Sequence, residues 1–210
     1  MIKVHHLNNS RSQRVLWLLE ELQVPYEIVP YMRLPIGFAP PELRDAHPLG
    51  KAPVVELEDG QRVAESGAIV ALLADRYGAG TLAVGPAEPE YVRYVELLHY
   101  IEGSLSLPLM MALFGKAFGV QNEIYAGYVA GQAALHLDYV QTLLEGREFL
   151  VGQRFTAADV HMTFLLQGAR RSRFLADREQ LMAYIEKMEQ RPAHGRAIER
   201  GGPFELGFSD

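Results

Sequence analysis

Residues 47–69 read HPLGKAPVVELEDGQRVAESGAI, and their order of turn, strand, turn, strand and helix start decides how the first part of the chain folds. Gly50 and Pro53 punctuate the chain just before Val54-Val55-Glu56-Leu57, an apolar run that reads as a strand opening at a proline. An X-Pro bond has only a small trans preference, so a tight bend entering a strand is where a cis Ala52-Pro53 peptide can survive. Such a bend turns the N–H and C=O of Ala52 outward, where a guest backbone can pair with them as a strand would. Asp59-Gly60 signals a tight hairpin, and Arg62-Val63-Ala64 is the short return strand. Glu65-Ser66 follows at once. Ile69, Leu72 and Leu73 then recur at helical spacing, so Ser66 stands where an N-cap is expected. A helix N-terminus with a hydroxyl attracts a carboxylate and the neighbouring Glu65 attracts an ammonium, so the pair suits a zwitterionic amino-acid end.

Working outward, Ile2 to Leu7 reads as a strand, Gln13 to Leu22 as a helix with Val15, Leu18, Leu19 and Leu22 on one face, and Tyr26 to Val29 as a second strand. With the hairpin and a helix over residues 66–77, the order βαβ then ββα describes a thioredoxin-like α/β domain over residues 1–80. Residues 78–88 are rich in Gly and Pro without sustained period and read as a linker. Beyond it no strand-like alternation lasts, and residues 89–210 read as an all-α helical-bundle domain. Its first helix, Tyr91 to Phe118, contains Pro108 and is expected to kink or split after Leu107. Helices over Glu123 to Glu145, Ala157 to Arg170 and Arg178 to Glu189 follow. The third begins with a capping box, Thr156 with Asp159, which makes Asp159 a structural carboxylate.

The chain has 210 residues, 49% of them hydrophobic and 22% charged, enough for one large or two small cores. Its net charge of -6 argues against nucleic acid or an anionic membrane as the main partner. No run approaches roughly 18 unbroken apolar residues and the N-terminus lacks a signal-peptide core, so a soluble, cytoplasmic protein is expected. There is no cysteine, which removes disulfides, thiolate ligands and a cysteine nucleophile. His5-His6 is a poor metal site because adjacent strand residues point to opposite faces, and no metal is expected.

The segments Gly50-Lys51-Ala52-Pro53-Val54 and Ala64-Glu65-Ser66 resemble those of cytosolic glutathione transferases, and His47-Pro48-Leu49-Gly50-Lys51 resembles the fungal and bacterial branch typified by yeast microsome-associated enzymes. The resemblance implies the glutathione transferase fold and a homodimer. It also implies glutathione as co-substrate, with Ala52 and Pro53 on its cysteinyl backbone and Glu65 and Ser66 on its γ-glutamyl end. Lys51 is a partner for the glycyl carboxylate by charge, with His47 assisting from the same loop. In the serine-type branches the pattern is Ser-x-Pro-x-Arg. Here Ser10 precedes Arg14 by the same spacing, but Ser12 replaces the proline, so Ser10, Ser12, Asn8 and Asn9 all remain candidate donors to the thiolate.

The implied activity is detoxifying transfer of glutathione to a small hydrophobic electrophile, with reduction of organic hydroperoxides as a side activity. A glutathione-dependent isomerase or dehalogenase, and a non-catalytic regulator of the same fold, are the alternatives. Met110, Met111, Leu113, Phe114 and Phe118, with Phe204 and Phe208 of the glycine-rich tail, are candidates to line the electrophile site.

Overall fold

The computed structural model describes residues 1–35 and 37–205 and divides into two compact units, one formed by 1–83 with 189–205 and the other by residues 84–188. In the first unit, β1 (Ile2–Leu7), α1 (Ser12–Leu22) and β2 (Tyr26–Tyr31) form the β-α-β start; β3 (Val54–Glu56), β4 (Arg62–Val63) and α2 (Ser66–Tyr77) follow. The sheet order is β2-β1-β3-β4. β1 and β2 run parallel with Val4 opposite Ile28, whereas β3 is antiparallel to both β1 and β4. The parallel pair needs a crossover and α1 supplies it. Val15, Leu16, Leu18 and Leu19 of α1 and Ile2 and Val4 of β1 have no exposed surface. Burying each such side chain contributes roughly 1.5–3 kcal/mol, which holds helix to sheet.

A further helix, α8 (Pro192–Gly201), packs on α1 and belongs to this unit, whereas the sequence reading groups its residues with the helical domain and assigns them no helix. Polar contacts anchor it. Arg191 donates through both Nε and Nη2 to Glu21 at 2.7 and 2.9 Å, and Glu20 accepts from Arg196 Nε at 2.8 Å and Arg200 Nη1 at 2.9 Å. At its end Gly201 meets α1 so closely that a Cβ there would clash with Leu16 and stand 2.8 Å from Gln13 Oε1.

The second unit is helical: α3 (Tyr91–Tyr100), α4 (Ser106–Ala117), α5 (Glu123–Leu143) and α6 (Ala157–Arg171), with α7 (Glu179–Glu189) reaching its boundary. The expected break near Pro108 lies earlier, in a π-helical turn at Ile101–Leu105 where Ser106 N–H donates to Ile101 O. Proline crowds the carbonyl one turn before it, so the irregularity appears upstream. The stretch Tyr91–Ala117 is long and apolar enough by composition to cross a membrane, but Tyr94, Leu97, Ile101 and Leu105 are spent on the unit's own core. Asp159 is fully buried; its carboxylate accepts from Leu150 N–H, Thr156 N–H, Thr156 Oγ1 and Tyr184 OH at 2.8–3.1 Å.

Candidate functional site

Strand direction brings three segments to one edge of the sheet. β1 runs antiparallel to β3 with His5 opposite Val54, so the loop leaving β1 lies at the end where β3 begins. β4 runs antiparallel to β3 with Val55 opposite Val63, so the chain leaving β4 toward α2 reaches that same end. The β1–α1 loop with Ser10, the Ala52-Pro53 step and Glu65-Ser66 therefore share an edge.

The Ala52-Pro53 peptide is cis. Pro53 is buried, and Ala52, half-buried against the small cluster of Leu43, Ala46 and Val54, precedes the first ladder residue. Lys51 is exposed beside it. His47 is half-buried, and its Nδ1 accepts from Leu49 N–H at 3.4 Å while its carbonyl accepts from Gly50 N–H at 2.8 Å. The His47 ring thus braces the turn that carries Lys51.

Ser66 is the first helical residue and not the cap. Glu65 takes the cap position, its carbonyl accepting from Ile69 N–H at 2.9 Å. Glu65 does so at φ 66° and ψ 112°, a left-handed conformation that costs a residue with a Cβ roughly 1–3 kcal/mol. Its carboxylate is exposed, and Ser66 is buried at the mouth of a helix whose first N–H groups have no acceptor within the helix. Glu65 and Ser66 thus set an exposed carboxylate and a buried hydroxyl side by side at a helix N-terminus.

The β1–α1 loop is held from several sides. Arg33, which no motif signals, donates from Nε to Asn8 O at 3.1 Å and from Nη2 to Asn9 O at 2.8 Å. Asn8 Oδ1 accepts from Arg33 N–H and Asn9 Oδ1 from Glu205 N–H, each at 2.7 Å. Asn9 itself has φ 51°, which asparagine tolerates better than most residues. Both asparagine carbonyl oxygens are thus engaged in holding backbone, and the tail after α8 returns to this loop through Glu205. Phe204 is half-buried there, and Phe208 lies outside the described residues. Phe114 of α4 and Phe118 just past its end stack at 5.9 Å and are exposed, while Met110, Met111 and Leu113 of α4 are half-buried.

Within the loop Ser10 and Ser12 are both buried, their Oγ atoms 2.7 Å apart, and Ser10 Oγ accepts from Ser12 N–H at 3.2 Å. Ser12 Oγ is 2.8 Å from His6 Nδ1 and 3.2 Å from Leu7 O. The other ring nitrogen of His6, Nε2, lies 2.8 Å from Gly201 O. Burial lowers the His6 pKa, partly opposed by the Gly201 carbonyl. His6 was visible in the sequence only as half of a rejected metal pair. The signal for it was present, since it shares the inward face of β1 with Ile2 and Val4, where a polar ring needs a partner.

Family models describe the two parts of the chain. Residues 10–76 match "Glutathione S-transferase, N-terminal domain" and residues 101–192 match "Glutathione S-transferase, C-terminal domain". The chain is 35% identical to glutathione S-transferase 3 of Schizosaccharomyces pombe, over 95% of this chain and 88% of that one. It is 33% identical to glutathione S-transferase 1 of Saccharomyces cerevisiae, over 84% of each. Among solved structures, a glutathione S-transferase from Actinobacillus pleuropneumoniae superposes with a TM-score of 0.88 at 36% identity, over 98% of this chain and 95% of that one. A sphingomonad enzyme solved with glutathione shares the fold at a TM-score of 0.80 and 22% identity, over 95% of this chain and 98% of its own.

Proposed function

The chain belongs to the cytosolic glutathione S-transferase superfamily, and on that premise we propose that it binds glutathione, activates it as a thiolate through Ser10 in the serine-type manner, and transfers it to small hydrophobic electrophiles. The observation that carries the proposal is the shared sheet edge. There the cis Ala52-Pro53 step offers backbone groups to the cysteinyl residue, and Glu65 and Ser66 at the α2 N-terminus offer an anion and a donor to the two charges of the γ-glutamyl end. Lys51 takes the glycyl carboxylate, with His47 bracing its loop. The glutathione seen in the sphingomonad neighbour supports the ligand. Residues 1–80, with α8 packed on them, serve as the glutathione-binding domain, and the helices between residues 89 and 188 as the helical domain.

A free thiol titrates near about 8.5, and lowering it by about two units takes roughly 2.7 kcal/mol of preferential interaction with the thiolate. A hydroxyl hydrogen bond to the charged form, together with the positive end of α1, supplies energy of that order. Ser10 is better suited than Asn9, whose side-chain amide is held at the tail by Glu205 N–H, and better than Ser12, which is fully buried. The donor acts electrostatically and forms no covalent bond to the substrate. The same thiolate reduces organic hydroperoxides as a side activity. We place the protein in the cytoplasm, where the absence of cysteine is unremarkable, as a homodimer whose exposed Val92, Leu107 and Leu135 supply apolar contact surface. Calorimetric titration with millimolar glutathione tests the proposal: saturable binding is expected, and its absence overturns it.

A further inference from the structure

The hydrogen bonds behind Ser10 have a direction that His6 sets. A carbonyl only accepts, so the 2.8 Å contact between His6 Nε2 and Gly201 O puts the ring proton on Nε2. A neutral ring then has a bare Nδ1, and Ser12 must donate to it across 2.8 Å; turning the Ser12 proton to Leu7 O would set two lone pairs against each other. With the Ser12 proton spent, the Ser10 proton fills the 2.7 Å gap to Ser12 Oγ. In this resting arrangement Ser10 presents lone pairs at the site edge. It accepts a hydrogen bond and cannot donate one to a thiolate.

From this chain, and resting on the serine-type reading above, we infer that His6 takes up the proton of the bound glutathione thiol through Ser10 and Ser12. The S–H bond breaks and its proton joins Ser10 Oγ. The former Ser10 proton passes to Ser12 Oγ, and the former Ser12 proton to His6 Nδ1. No electrons are exchanged, and the products are a thiolate and an imidazolium that still donates from Nε2 to Gly201 O. Every bond in the chain has then reversed, and Ser10 now donates to the sulfur. Reversal without a charged ring would require the proton to leave Nε2 and set that nitrogen's lone pair against the Gly201 carbonyl. His6 therefore acts as a positioning residue through two hydroxyls, and the negative sulfur they lead to favours its charged form.

The groups that face His6 from the packed elements are the Ser12 hydroxyl of α1, the Gly201 carbonyl of α8 with the Gln13 amide beside Gly201, and Pro30 opposite on β2. None of these carries a charge that competes with the thiolate. Burial keeps the ring of the empty protein neutral and opposes its charging, so proton uptake depends on the negative sulfur that forms at the other end of the chain. The closeness of α8, where Gly201 has no room for a side chain, fixes the far end of the chain.

The test counts protons. Glutathione binding is followed by calorimetry in two buffers of different ionisation enthalpy, about one pH unit below the free thiol pKa of about 8.5, while ultraviolet absorbance reports the thiolate. S-methylglutathione, which has no thiol proton, is the blank. The wild-type complex is expected to show the thiolate band and release well under half a proton per thiolate; release of about one proton per thiolate overturns the inference while leaving the transferase reading intact. Absence of binding, or of the band, overturns both. In Ser12→Ala the wire is cut, and the complex either loses the band or releases about one proton per thiolate. A Ser12→Ala complex that keeps its thiolate and releases none shows the proton is held elsewhere and refutes the relay. NMR of labelled histidine, assigned with His6→Gln, should show His6 doubly protonated with glutathione and neutral with the S-methyl blank.

Discussion

Replacing Glu65 with glycine should make the protein more stable and its hold on glutathione weaker. Glu65 adopts φ 66° and ψ 112° at the entry to α2. A residue with a Cβ gives up roughly 1–3 kcal/mol in such a conformation. Glycine adopts it freely but has more freedom to lose from the unfolded chain, about 0.4–1 kcal/mol. The net gain is then about 0.5–2 kcal/mol, or roughly 1–8 °C in Tm for a chain of this size. The same change deletes the carboxylate assigned to the γ-glutamyl ammonium. A hydrogen bond to a charged group contributes about 1.5–3 kcal/mol, so glutathione affinity should fall about 10- to 150-fold. Glu65→Gln keeps the backbone conformation and drops only the charge, so it should lose affinity without gaining stability. Differential scanning calorimetry and titration calorimetry read the two effects separately. A Glu65→Gly protein that binds glutathione as tightly as wild type, or melts lower, refutes the argument that a costly backbone is spent here on binding.

Other perturbations test the supporting structure. Asp159→Ala strands the Leu150 and Thr156 N–H groups and the Tyr184 hydroxyl inside the protein and should cost on the order of 3–5 kcal/mol in urea unfolding. Gly201→Ala forces a methyl against Leu16 and should cost about 1–3 kcal/mol in thermal melts; a neutral result would mean α8 does not approach α1 that closely. The pKa values of His5 and His6 are both lowered from 6.5, chiefly by burial. The unfolded chain therefore binds more protons just below that value, so stability should be full above about pH 6.5, fall as pH drops through it, and level off below the folded-state pKa values. Urea midpoints across this range should show the slope, and His6→Gln should flatten it.

The parts of the fold that rest on local chemistry were legible in the sequence. The Asp59-Gly60 turn, the proline opening β3 and the capping box of Thr156 and Asp159 each need only neighbouring residues, and each appears as expected. Ser66 was one position off because the cap is defined by the carbonyl that Ile69 uses, and Glu65 supplies it from a conformation that few non-glycine residues adopt. The break before Pro108 shifted to residues 101–105 because the cost of the missing N–H is spread over the preceding turn. α8 had its signals in Pro192 and Gly202, but its anchors are arginines reaching Glu20 and Glu21, which apolar periodicity cannot show. His6 showed only as a polar residue on the buried face of β1, and its partner was hidden because the Gly201 carbonyl lies near the other end of the chain. Arg33 likewise has meaning only once β2 delivers it beside the Asn8 and Asn9 carbonyls.

The assignment of Ser10 as thiolate donor is tested most directly by titrating the thiolate absorbance of bound glutathione against pH in wild type and in Ser10→Ala. The wild-type complex should titrate about two units below the free thiol, and Ser10→Ala should return most of the way toward about 8.5. An unchanged thiol pKa in Ser10→Ala would contradict the account.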